Sequence, residues 1–227
     1  GSLREEPISR ASADQRRGRA GRTAPGICLR LYPRLSYNRR PAFSTEEILR
    51  SDLSEVVLRM LALGIRDVER FDFPTAPEPA DVAGALQILQ DLGAVTADRQ
   101  LTEEGVRMCD LPLEPRIGRM VVEGSLRAPA ALNDVLTVAA FLSVRTPYVL
   151  TEGEEEGSRA AHKRLVDKRG DFHTFLKIYR MFQASSQPAE MCRRHHLDER
   201  ILAEVTNIRA QLRELLHERG VVVGDTP

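Results

Sequence analysis

At 227 residues the chain can form one large domain or two small ones. Hydrophobic residues make up 42% and aromatics only 5%, with no Trp, so a core of large rings is excluded and helices packed on helices are favoured over a β-sandwich. The 33 basic and 33 acidic residues cancel, so no net charge draws the chain to a polyanion; Cys28, Cys109 and Cys192, with no C-x-x-C pair, give neither a disulfide framework nor a zinc module.

The charges are unevenly placed. Residues 1–40 hold ten Arg against Glu5, Glu6 and Asp14, an excess of seven, so this segment is expected to face an anion. Residues 7–24, rich in Arg, Ser, Ala and Gly, read as a loop leading into a short helix. The alternating, β-prone run from Gly26 to Tyr32 reads as one strand, and residues 32–41 as a basic connector. Without neighbouring strands to pair with, that strand is expected to lose its order. Ser44 and Glu47 have the spacing of a capping box, opening a helix that turns Leu49, Leu53, Val56, Val57, Met60 and Leu61 to one side and stops at Gly64. Pro79 opens a second helix with Val82, Leu86 and Leu89 inward, ending at Gly93. Val95 and Leu101 flank the polar turn at residues 98–100 and predict a small two-stranded wing, followed by a short helix over 103–109. This order of elements is that of a winged-helix unit.

From Pro115 onward the pattern is helical. Helices are predicted over 116–126 and 129–144, the second apolar nearly all round and so central. Residues 153–157 read as an acidic loop. Asp171 is placed as the cap of a helix that buries Phe172, Phe175, Leu176, Tyr179 and Phe182, and the last helix runs from 198 to 220. The expected fold is therefore mainly α, a winged-helix unit followed by a helical bundle.

The segment from Gln15 to Arg22 has the spacing Q-R-x-G-R-x-G-R. Arg19 and Arg22, three residues apart, can converge on one target, and Gly18 and Gly21 let another surface approach. Guanidinium forks are permanently charged and bind oxygens in pairs, which suits a triphosphate. A generic Arg/Gly cluster would merely touch RNA or stay solvated. Here the octapeptide and its lead-in from Ile8 resemble motif VI of DEAH-box helicases in superfamily 2. The resemblance continues through Gly26–Tyr32, Pro41–Phe43, Glu47–Arg50, Leu61–Gly64, Leu89–Val95, Leu101–Gly105, Leu111–Pro115, Asp171-Phe172 and Cys192-Arg193. It is strongest to the bacterial HrpA type; Arg10 departs from the Gln expected there.

The resemblance implies the C-terminal part of an ATP-dependent, 3′-to-5′ RNA helicase, made of the tail of a RecA-like α/β domain (1–40), a winged helix (41–114) and a ratchet-like helical bundle (115–227). Arg19 and Arg22 would be arginine fingers, Gln15 a group that positions water or phosphate, and Arg16 a brace for the loop. The implied partners are single-stranded RNA, or DNA, and the missing RecA-like domains of the same chain. The implied cofactors are ATP and Mg²⁺ in the full-length protein, with none bound by this segment. The 227 residues contain no G-x-x-x-x-G-K-[ST] loop and no D-E-x-H run, so the segment alone is expected to hydrolyse no ATP.

Arg116, Arg119 and Arg145 are candidate RNA contacts. The predicted second helix of the winged unit, residues 80–92, has neither Arg nor Lys and is poorly suited to a DNA groove. Cys192, His195 and His196 supply only three local donors, so no metal site is assigned and a solvated helix end is expected. The alternative function is a non-enzymatic module that binds nucleic acid or protein through the winged helix and bundle. With no apolar signal core and no apolar run of spanning length, a soluble cytoplasmic protein without membrane contact is expected.

Overall fold

The computed structural model describes residues 10–20, 26–40, 53–74 and 76–224. They fall into two compact units, within residues 2–51 and within residues 52–227.

In the first unit, α1 (Arg10–Arg19) ends in Arg16, Arg17 and Arg19, cations that complement the negative end of the helix dipole. The strand expected over Gly26–Tyr32 does not form. A strand exists through its ladder, and this segment has no partner among the described residues; Ile27, Leu29 and Leu31 are 88%, 82% and 98% exposed. The expected basic connector instead contains α2 (Arg34–Arg39), entered through extended Pro33. The Arg40 guanidinium lies 3.9 Å over the Tyr32 ring and closes the turn.

The second unit begins with α3 (Leu53–Ala62), which buries Val57, Met60 and Leu61 as predicted. The capping box at Ser44 and Glu47 and the side chain of Leu49 lie outside the described residues. A 3₁₀ turn, Val68–Arg70, leads to α4 (Pro79–Asp91), which starts on its proline and buries Val82, Leu86 and Leu89. Both helices end where the sequence indicates, at Gly64 and Gly93, whose φ angles of 83° and 68° lie in the left-handed region. The wing is an antiparallel bridge between Val95 and Leu101. At its turn Arg99 takes φ 59° and grips Glu69 bidentately at 2.6 and 2.8 Å, tying the wing to the 3₁₀ turn. Helix α5 (Glu103–Cys109) is capped by the Thr102 hydroxyl, which accepts from the Gly105 amide. Gly105 also permits close packing: a Cβ there would lie 2.0 Å from the Ala94 carbonyl oxygen.

Helix α6 (Pro115–Arg127) and a second 3₁₀ turn, Pro129–Ala131, lead into α7 (Leu132–Leu142). Helix α7 is central as expected, packing against α6, α9 (Asp171–Ala184) and α11 (Glu199–Glu218). Between them lie α8 (Glu155–Leu165) and α10 (Pro188–Arg194), neither anticipated. The acidic run at 153–157 is thus only partly a loop. Glu155 and Glu156 open α8, where carboxylates oppose the positive end of the helix dipole, and the Glu155 carboxylate accepts from the Gly153 amide. Asp171 is not the cap of α9: Gly170, with φ 122°, occupies that position and Asp171 is the first helical residue. Phe172, expected inside, is 51% exposed, whereas Leu176 and Tyr179 are buried.

One apolar cluster runs from Val57 and Leu89 through Met108 and Ile117 to Leu136, Leu212 and Leu216, so the winged-helix elements and the first bundle helices share a core. A second, around Phe141, Ile178, Cys192 and Leu202, fills the far end of the bundle.

Candidate functional site

Helix α1 presents Gln15 and Arg19, four residues apart and both exposed, on one face. Its opposite side is fixed. Ala13 is buried, and the Asp14 carboxylate accepts from Arg30 at 2.5 Å and from the Tyr37 hydroxyl at 2.8 Å. The Arg30 guanidinium also lies 4.3 Å over the Tyr37 ring. These hydrogen bonds, first from Tyr37 and then from Arg30, hold the Asp14 carboxyl below the usual carboxylate range. The face bearing Gln15 and Arg19 is therefore displayed by a helix tied down from behind. Arg22 lies outside the described residues. An exposed cationic face with a neutral amide one turn away is chemically suited to phosphate oxygens, as a triphosphate requires.

The three candidate nucleic-acid contacts differ in surroundings. Arg116, in the first turn of α6, is exposed. Arg119 is half-buried: its Nε donates to the Leu92 carbonyl at 2.9 Å, and its guanidinium pairs with Glu123 at 2.5 Å. It therefore joins α6 to the end of α4. Arg145 is exposed in the loop after α7. The cluster at 192–196 is a junction rather than a solvated helix end. Cys192 is buried in the second core, and the His196 ring meets the hydroxyls of Thr151 and Ser158 at 2.9 and 3.0 Å. His162 approaches the His196 carbonyl at 2.8 Å.

The sequence reading missed the Asp14–Arg30–Tyr37 tie, because its members lie 16 and 23 residues apart with no helical or strand period linking them. The available signal was an acid inside an arginine-rich segment.

Residues 85–113 match the winged-helix part, and residues 114–178 the ratchet-like part, of the helicase associated domain (HA2). The fold is thus that of a helicase-associated segment, a winged helix followed by a ratchet-like bundle, and nearly the whole chain is similar to HrpA-type helicases. It is 35% identical to the ATP-dependent RNA helicase HrpA of Escherichia coli, covering 98% of this chain and 18% of that protein. The HrpA of Borreliella burgdorferi is 37% identical, with 98% of this chain and 27% of that protein covered. The probable ATP-dependent RNA helicase DHX34 of Homo sapiens is 35% identical, at 98% and 20%. The chain spans about a fifth to a quarter of these relatives' length. Among the described residues no helix is long and apolar enough to cross a membrane.

Proposed function

We propose that this chain is the arginine-finger and strand-guiding part of a cytoplasmic, ATP-dependent 3′-to-5′ RNA helicase. Residues 1–40 close a RecA-like domain, residues 41–114 form the winged helix and residues 115–227 the ratchet-like bundle. The observation that carries this reading is the exposed pair Gln15 and Arg19 on a helix fixed from behind by Asp14.

Arg19 and Arg22 would neutralise charge that develops on the transferring phosphoryl group, and Gln15 would orient water or a phosphate oxygen. ATP with Mg²⁺, held mainly by RecA-like domains elsewhere in the protein, supplies the phosphoanhydride bond. The chain alone hydrolyses no nucleotide, since it has neither phosphate loop nor metal-binding D-E-x-H run. Arg116 and Arg145, both exposed, would contact the phosphates of single-stranded RNA or DNA, while Arg119 shapes that surface by holding α6 to α4.

The test joins the chain to the nucleotide-binding portion of its own protein and measures RNA-stimulated ATP hydrolysis. Arg19→Ala should lower the rate by a factor on the order of 10³ or more, the usual worth of an arginine finger. An unchanged rate would overturn the assignment. Binding of a labelled oligouridylate should weaken as salt rises, and further in Arg116→Ala and Arg145→Ala. Salt-independent affinity would count against phosphate contacts.

A further inference from the structure

The far end of the bundle carries an open groove of about 850 Å³ between the end of α7, the 144–150 loop, α8 and the start of α9. Its apolar wall includes Leu142, Leu150 and Val166, which are 42%, 54% and 58% exposed. These aliphatic side chains give the groove an apolar contact surface for an occupant. The charged groups of the lining are Arg159 and Lys163, one turn apart on α8, and Asp171 at the start of α9, so the cations outnumber the one carboxylate. Neither cation makes an ion pair among the described residues. Glu155, a turn before Arg159, feels its field without pairing with it.

We infer that this groove docks a short segment of a partner protein that presents two or three aliphatic side chains and an adjacent carboxylate. The aliphatic groups cover Leu142, Leu150 and Val166, and the carboxylate meets Arg159 and Lys163. The aromatic residues argue for peptide over nucleic acid. Base binding needs an open ring face. Here Phe141 and Phe175 are stacked on one another, centroids 4.8 Å apart and 5° from parallel, and Tyr148 lies 4.7 Å from the His162 ring. One face of each Phe ring is taken by the other and Tyr148 is tilted against His162, so the groove offers its occupant more aliphatic than open ring surface.

The test is selection of a random dodecapeptide phage library on the 227-residue chain, followed by fluorescence anisotropy with the labelled consensus peptide. The consensus should combine Leu, Ile or Phe with Asp or Glu. Its affinity should fall at least tenfold in Lys163→Glu and, separately, in Val166→Asp; both sites are exposed, so both variants should keep the parent's helical circular dichroism. Replacing the peptide's acids with Lys should cause a similar loss. The proposal is overturned if no peptide is enriched, if both variants bind as the parent does, or if a labelled oligouridylate displaces the peptide.

Discussion

Exchanging Asp14 for Asn removes the charge that Arg30 and Tyr37 both bind while keeping its shape. Charge-assisted hydrogen bonds are the stronger kind, so α1 should loosen from the 30–37 segment, with faster amide hydrogen exchange across residues 13–19. The same tie should respond to acid. Because the folded carboxyl is held below its ordinary value, its contribution is complete above the usual carboxylate range and disappears as pH falls through the depressed value. The Tyr37 ring resonances, followed by NMR from neutral to strongly acidic pH, should report that release. Cysteine chemistry separates in the same way. Burial, then the nearby Glu199 and Asp198, push the Cys192 thiol up to about 11, whereas Cys28 is exposed. Ellman's reagent should titrate Cys28 in the native protein and Cys192 only after denaturation. The arginine motif was legible at this scale because its spacing is local. Its support was not, because Asp14 finds its partners only after the chain turns back.

Elements with a strong local period were the most legible. Val82, Leu86 and Leu89 recur at helical spacing, and α4 opens on its proline and closes at Gly93. The bridge from Val95 to Leu101 was marked by the polar turn between them. Elements lacking such a signal were missed. Helix α8 buries only Ser158 and Leu165, so it shows almost no apolar stripe. Gly26–Tyr32 alternates as a strand does, and its lack of a ladder follows the expectation that it has no strand to pair with among the described residues. The tight approach of α5 to the wing yields a paired prediction. Gly105→Ala places a Cβ 2.0 Å from the Ala94 oxygen and should cost about 1–3 kcal/mol in urea unfolding. Gly118→Ala, with its nearest neighbouring atom at 3.9 Å, should be neutral or slightly stabilising.

For the unit 52–227 as a whole, the decisive feature is the core that passes from the winged-helix elements into the bundle. Leu212 on α11 belongs to the same cluster as Val57 on α3 and Leu89 on α4. Truncating Leu212 to Ala should cost roughly 2–5 kcal/mol. The loss should appear as a shift of one transition, seen equally by probes in residues 53–113 and 115–224. Two separable transitions would show that the modules fold independently. Pattern and turn chemistry read the order of helices well, but not this continuity, because which apolar faces meet is decided by packing rather than by period.

The continuous core also bears on how the protein would carry load. The two family matches meet between residues 113 and 114, yet apolar side chains interlock across that point, Leu111 and Leu113 lying in one cluster with Ile117 and Val121. A hinge needs a seam that slides or opens, and a close-packed seam resists both. Displacement applied at α3 or the wing would therefore arrive at α7 and α11 almost undiminished, making this part of the molecule a rigid lever arm rather than a pair of jointed segments.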